Sequence, residues 1–394
     1  MAVQAVLDGV DITSITLEGS VTQRLNRPAI ATVKVPSDLT SGNDRSRLKV
    51  YVDGQLDFHG TVEHIEDDGD EDTMYTVFTA ADPTIIFEAR YARDADGDYS
   101  KPSFIQDFVT GPPIVEAIVQ NSIDQVGEMG IVLGTFATGG ADLRGTPTNW
   151  PMTIADVISL LTDTGELDVV CRPIEAGGNM GELSAYNGNY GVDRTGSVVF
   201  EYRTGSCNVR ACRRTVDKRD LRNRIRFLLG PRVGTAADPA GDQHWRASID
   251  RTSTGLLPDP PQSTIEAARA QSELDYYVRE QIREYDALGS NNPETVAAVF
   301  NLYLRLWQLS AWLQLKPRTE VHLTPQRGIA PAFGPGDLIS VAAGPGFRGG
   351  FSGVQRVMER TYRWDENGVI ELGEPVGMAG AAAVVATADN EGLP

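Results

Sequence analysis

The sequence predicts a mainly β protein of the α+β class: two β-barrel domains, an inserted mixed α/β region and a helical insertion. Two observations carry that prediction. Residues 1–92 alternate apolar and polar repeatedly (VQAVLDGVDI, ITLEGSVTQRL, AIATVKV, RLKVYV, LDFHGTVEHI, MYTVFTA). That is the period of strands wet on one face, and five to seven of them suffice for a small barrel or sandwich. The second observation is a strand–turn–strand–turn–strand pattern that occurs twice. One copy runs from Arg47 to Pro83 through an Asp53-Gly54 turn, Gly60-TVEHI and YTVFTAADP. The other runs from Asp337 to Pro375 through LISVA, Gly353-VQRVM, a WDENG turn and VIELGEP. Two similar β units in one chain give a trimer six similar units, which suits a ring.

Taken in order, residues 1–92 form the first β-barrel domain, with an acidic hairpin tip between Glu63 and Asp72, where seven of ten residues are acidic. Residues 93–194 read as a mixed α/β peripheral domain. Its first helix falls near 112–126, introduced by Gly111-Pro112-Pro113, and its second over 153–165, with Thr153 as N-cap and a Gly stop. ELDVVCRPI and GELSAYN follow as strands. The second barrel is discontinuous, built from 195–230 plus 317–377. Between its parts lies the insertion 231–316: a Pro-, Gly- and Asp-rich loop to 262, then helices over 263–287 and 293–315. The second of these is apolar, but Asn301, Arg305 and Gln308 stripe one face, which favours burial between domains or subunits over a membrane span. Residues 378–394 read as a flexible tail.

The chain has 394 residues and a net charge of −19, with 54 acidic against 35 basic residues. Bulk charge therefore opposes wrapping of nucleic acid but suits a wall past which DNA slides. The start, MAVQAVLDGVDI, has neither a charged n-region nor an apolar run, so no secretory signal is expected. Several letter patterns fail on their physics. Gly344–Gly349 spells G-x-G-x-x-G, but a strand rather than a helix follows, so it reads as a hairpin loop. Asp94, Asp96 and Asp98 resemble a calcium loop whose Gly is misplaced and whose twelfth position is Ile105. Cys207 and Cys212 lack a second ligand pair, and His59, His64, His244 and His322 are scattered, so neither zinc nor any other cofactor is expected. No acid/base pair or nucleophile constellation stands out, and no catalytic residue is assigned.

The remaining feature is basic. Between Arg210 and Arg226 there are eight Arg or Lys and two Asp (Asp217, Asp220). Three roles fit: pairing across a contact between subunits or with an adjacent protein, contact with DNA, or a solvated face. Arg213, Arg214, Arg219 and Arg222 are the interface candidates. Cations so dense need countercharge nearby, which the rest of the chain supplies in excess.

In its order of elements the chain resembles the tail hub proteins (baseplate hub, or minor tail, proteins) of tailed bacteriophages, siphophage type. The resemblance rests on Gly60-TVEHIEDD…YTVFTAADPTIIFEARYARD, with Asp82, Pro83 and Arg90 at the family's places. It continues through SVVFEYRTGSCNVRACRRTVDKRDLRNRIRFLLG, Pro335-Gly336-Asp337-LISV and GVQRVMERTYRWDENGVIEL, and covers nearly all of 1–377. It implies a non-enzymatic homotrimer whose tube-like barrels turn threefold into pseudo-sixfold symmetry at the distal tail tip. The implied partners are the distal tail protein, the tape measure protein and tail tip or fibre proteins. Genomic DNA would pass only through the lumen, and no stable membrane insertion is implied. The alternatives, a carbohydrate- or receptor-binding β module or a cell-wall hydrolase subunit, predict clustered surface aromatics or a catalytic constellation. The five Trp are instead spread along the chain.

Overall fold

The computed structural model describes residues 2–37, 43, 45–69, 74–92, 111–138, 153–162, 167–188, 190–203, 206–219, 221, 223–229, 245–248, 262–285, 318–325, 333–344, 351–364 and 369–373. The chain divides into two compact units. One holds 1–162, 167–214 and 320–376; the other holds 163–166, 215–319 and 377–394.

The first unit opens with β1 (Val3–Leu7), β2 (Val10–Asp11), β3 (Glu18–Arg24), β4 (Ile30–Pro36), β5 (Arg47–Val52), β6 (Gln55–Gly69) and β7 (Met74–Ala81). Then come α1 (Gly111–Val126), β8 (Ile131–Phe136), α2 (Ile154–Thr162), β9 (Asp168–Ala176) and β10 (Asn179–Tyr186). Next are β11 (Val199–Arg203), β12 (Ser206–Cys207) and β13 (Val209–Asp217), and the division between units falls within β13. The second unit carries β14 (Arg224–Leu229), β15 (Trp245–Ser248), α3 (Gln262–Tyr276) and β16 (Glu280–Tyr285). The chain returns through β17 (Arg318–Pro325), β18 (Leu338–Ala343), β19 (Phe351–Arg363) and β20 (Val369–Gly373).

Local chemistry accounts for the strands. In β4 the residues Ala31, Val33 and Val35 are buried and their neighbours are not, the alternation of a strand with one face on a core. Asp8-Gly9 and Asp53-Gly54 have positive φ at both positions (49° and 82°; 48° and 82°), the left-handed pair that a two-residue hairpin requires. Asp82 ends β7 by accepting from the Thr84 amide at 2.9 Å and the Ala29 amide at 2.7 Å.

Among the described residues fourteen strands form one sheet. Its first seven strands run β3-β4-β7-β6-β5-β1-β2, and its later seven run β13-β17-β20-β19-β18-β11-β12. Ranked by chain position within each set, the two orders are identical: third, fourth, seventh, sixth, fifth, first, second. The hairpins singled out in the sequence occupy the same place in both sets, as expected. Even the irregularities coincide: the β6–β7 ladder slips between Val62 and His64, and the β19–β20 ladder between Val357 and Glu359. This register aligns Gly60 with Gln355, so the letter match of Gly60 to Gly353 is two residues out. The corresponding ladders β1–β5 and β11–β18 differ in sense: β1 is antiparallel to β5, whereas β11 is parallel to β18.

Each set curls around its own core. Ala5, Val21, Val33, Val50, Phe58 and Phe78, from six strands of the first set, share one cluster. Phe200, Val209, Val321, Ile339, Val341 and Val357 share another, with Phe333 edge-on to Phe200 at 5.7 Å. Each Val, Ile or Phe among them contributes about 1.5–3 kcal/mol by leaving water. Among the described residues the path of the first set stays open between β2 and β3. The two sets are not separate barrels: β19 leaves β18 after Arg356, and its Glu359–Arg363 runs antiparallel to Arg24–Ser20 of β3.

Between the sets, β8, β10 and β9 form a small mixed sheet, β10 being parallel to β8 and antiparallel to β9. The helix α1 buries Ile114, Val115, Ile118 and Val119. Thr153 and Asp156 cap α2 reciprocally, Asp156 N–H to Thr153 Oγ1 at 3.1 Å and Thr153 N–H to Asp156 Oδ2 at 3.0 Å. In the second unit β14 lies between β15 and β16. Two expectations are corrected there. The helix predicted over 263–287 stops at Tyr276, because Tyr277 takes φ 63° and Arg279 N–H donates to Asn223 Oδ1 at 2.7 Å; residues 280–285 then form β16, parallel to β14. The stretch read as a loop over 231–262 contains the strand β15. The helix expected over 293–315 and the tail 378–394 lie outside the described residues.

Candidate functional site

Two features stand out, one buried and one exposed. The buried one is the polar seam where the mixed sheet and the two β sets meet. Arg356, on β19, extends Nη2 to Asp168 Oδ2 on β9 at 2.5 Å and to Tyr190 O at 2.8 Å; the pair is 5% and 3% exposed. The same Asp168 oxygen accepts from the Tyr190 amide at 2.9 Å. Beside it, Asp337 takes Arg194 Nε at 2.8 Å and the Val192 amide at 2.7 Å. Further along β19, Arg360 donates to Phe333 O at 2.6 Å and to Gln23 Oε1 at 2.5 Å. Tyr362 donates to Asp57 Oδ2 at 2.6 Å; burial and then that carboxylate push its phenol well above the usual range. At the edge of the seam Arg24 meets Glu359 at 2.6 Å. In a pair as buried as Arg356–Asp168, the cost of desolvation offsets much of the attraction.

A second set of polar contacts ties β5 and β6 to β9. Lys49 Nζ and Tyr51 Oη both reach Glu175 Oε1, at 2.7 and 2.5 Å. The hydrogen bond to Glu175 pushes Tyr51 up to about 12, and Lys49 with Tyr51 holds Glu175 below the ordinary carboxylate value. The buried His59 donates from Nδ1 to Ile174 O at 2.7 Å.

The exposed feature is β13. A strand packed on a core hides alternate residues; here only Val209 is buried, and Arg210, Ala211, Arg213, Arg214 and Val216 are all exposed. Among the described residues β13 pairs with β17 alone. Arg213 and Arg214 are thus exposed on opposite sides of a strand that Val209 and Cys212 hold to the core. Arg219 lies beyond the strand end, in the second unit, with its Nε 2.8 Å from Asp217 Oδ2 and its side chain 87% exposed. Such a surface pair contributes at most about 1 kcal/mol. Arg222 lies outside the described residues. The structure thus brings two of the four predicted residues together on one strand.

Sequence reasoning missed the seam. Its one local signal was a pair of arginines, Arg356 and Arg360, inside a strand pattern where apolar residues belong. Among the described residues no group of three or more His, Cys, Asp or Glu is placed to hold a metal, and no helix is long and apolar enough to cross a membrane. Asp94, Asp96 and Asp98 lie outside them. Residues 345–349 also lie outside them, while β18 and β19 on either side are antiparallel neighbours.

The fold, two curled β sets of one topology flanking a mixed sheet, is that of phage tail proteins. The chain is similar to the tail protein from Neisseria meningitidis MC58 (TM-score 0.57, 12% identity, 96% of this chain and 98% of that one). It is similar also to the 43 kDa tail protein of prophage MuSo2 from Shewanella oneidensis (0.60, 13%, 95% and 98%). A third is prophage tail protein gp18 from Listeria monocytogenes EGD-e (0.53, 12%, 98% and 99%). No family model and no curated protein matches the sequence.

Proposed function

We propose that this chain is a structural, non-enzymatic virion protein: a trimeric, pseudo-sixfold hub ring at the distal end of a phage tail. The observation that carries the reading is the repeated seven-strand order, because three copies then present six like β units to a hexameric tube. The ring-forming units are residues 1–92 and the parts of 195–230 and 317–377 that carry β11–β13 and β17–β20. Residues 93–194 are peripheral, 231–316 an insertion, and 378–394 a tail. The ring joins the tube to the tip or receptor-binding apparatus, with the distal tail, tape measure and tip or fibre proteins as neighbours. Its lumen passes DNA during ejection, and the net charge of −19 suits a wall that does not hold phosphate. Arg213, Arg214, Arg219 and Arg222 lie at or near a contact between subunits or with the adjacent tail protein. Mass measurement at several concentrations together with negative-stain imaging tests this. Three copies in a ring with six-fold appearance are expected; a monomer at every concentration refutes it.

A further inference from the structure

The joint inside the chain specifies a joint between chains. Within the chain β18 pairs with β19 as far as Arg356, and β3 takes over on the same side from Glu359 to Arg363. In the first set β5 pairs with β6 as far as Thr61. The matching slips of the two ladders align Glu359–Arg363 with His64–Asp68. There, among the described residues, no strand takes over: β6 continues with β7 alone. The difference shows in burial, since Arg360 and Tyr362 are buried whereas Glu63, His64, Glu66, Asp67 and Asp68 are exposed. The partner strand repeats the contrast. β3, which receives β19, is covered along its length except at Glu18, whereas its counterpart β13 is exposed at Arg210, Ala211, Arg213 and Arg214, with Cys212 packed on the core. Among the described residues these two edges have no further strand beside them, and they have opposite charge: Glu63, Glu66, Asp67 and Asp68 on β6, Arg210, Arg213 and Arg214 on β13.

We propose that the β6 edge His64–Asp68 of one copy pairs antiparallel with the β13 edge of a second copy, repeating between chains the β19–β3 joint found within one. Opposite charges already meet in the internal joint, at Arg24 and Glu359. Charge also excludes the symmetric alternatives: β6 against β6, or β13 against β13, would set like charges across the ladder. The contact is therefore head-to-tail, and head-to-tail contacts close into rings when the rotation allows. β sets would then alternate around the ring, each junction built from the same two strand ranks. Main-chain bonds supply the affinity and the charges supply register. The proposal rests on the self-assembly of the previous section and names its contact.

Four full-length proteins test it: wild type, Arg210→Glu with Arg213→Glu, Glu66→Arg with Asp68→Arg, and the combination of all four changes. Light-scattering mass is measured over a concentration series, with far-UV circular dichroism to verify folding. Each double reversal should weaken self-association at least about tenfold while the monomer stays folded, and the combination should restore it. Amide exchange of residues 64–68 should be slow in the oligomer and fast in the dissociated double variants. An oligomer indifferent to both reversals, with fast exchange at 64–68, overturns the edge pairing and leaves the ring reading standing. So does loss of salt-dependent DNA binding in Arg210→Glu with Arg213→Glu while assembly is unchanged. A wild type monomeric at all concentrations overturns both.

Discussion

Replacing Arg356 by Met keeps the apolar stem and removes the guanidinium. Among the described residues Asp168, 3% exposed, then keeps only the Tyr190 amide at 2.9 Å as a partner. The carbonyls of Tyr190 and Gly336 also lose the donor that reaches them at 2.8 and 3.3 Å. Breaking a buried pair from one side costs about 3–5 kcal/mol, most of it the uncompensated charge left behind. Asp168→Asn alone leaves the cation with carbonyl partners. Combined with Arg356→Met it removes both charges while an amide oxygen still faces Tyr190 N–H. The double variant should therefore be more stable than Arg356→Met, with a coupling of roughly 1.5 kcal/mol or more. Urea unfolding with unchanged slope measures this. A cost below about 1 kcal/mol for Arg356→Met, or strict additivity in the double variant, would show that the seam is wetter than its geometry implies.

Two more predictions test the packing of β6. At Gly60 an added Cβ would lie 2.2 Å from Ala81 O and 2.6 Å from Ala81 C, backbone that cannot swing aside. Gly60→Ala should cost about 1–3 kcal/mol or block folding, and a melting temperature equal to wild type would contradict the close approach. At His59, burial above all holds the pKa below the ordinary value of 6.5, so the unfolded chain takes a proton that the folded one refuses. Its contribution to stability is complete above that value and declines as pH falls through and below it. The melting-temperature gap between wild type and His59→Gln should shrink from pH 8 to pH 5; a gap constant with pH refutes the assignment.

What the sequence disclosed was local. Alternation marks β4 and β5, Asp-Gly marks the turn at 53–54, and Thr153 with Asp156 marks the start of α2. The repeated hairpin was legible because its two turns lie close to its strands. Its exact register was not, since register is set by ladder slips at Val62 and Val357 that no single residue announces. Residues 280–285 continue the polar–apolar pattern of the helix before them. They become a strand because β14, more than fifty residues earlier, offers an edge and Asn223 holds the turn. The seam was hidden for the same reason: Arg356 and Asp168 are 188 residues apart, and nothing near either announces the other. The basic strand was visible as composition, but the exposure of Arg210, Arg213 and Arg214 on it required the sheet.

The β19–β3 joint also orders events during synthesis. Arg24 leaves the ribosome 335 residues before Glu359, its partner across the joint. At about 5–20 residues per second, that is an interval of roughly 20–70 s. Throughout it the first β set can fold but carries β3 as an unpaired edge. The nascent chain meets this interval with the strand's own composition: Ser20, Thr22, Gln23 and Arg24 present a polar, charged edge that recruits stray strands poorly. The last strands made complete the first ones, so a chain released before β19 would keep its earliest structure permanently unfinished.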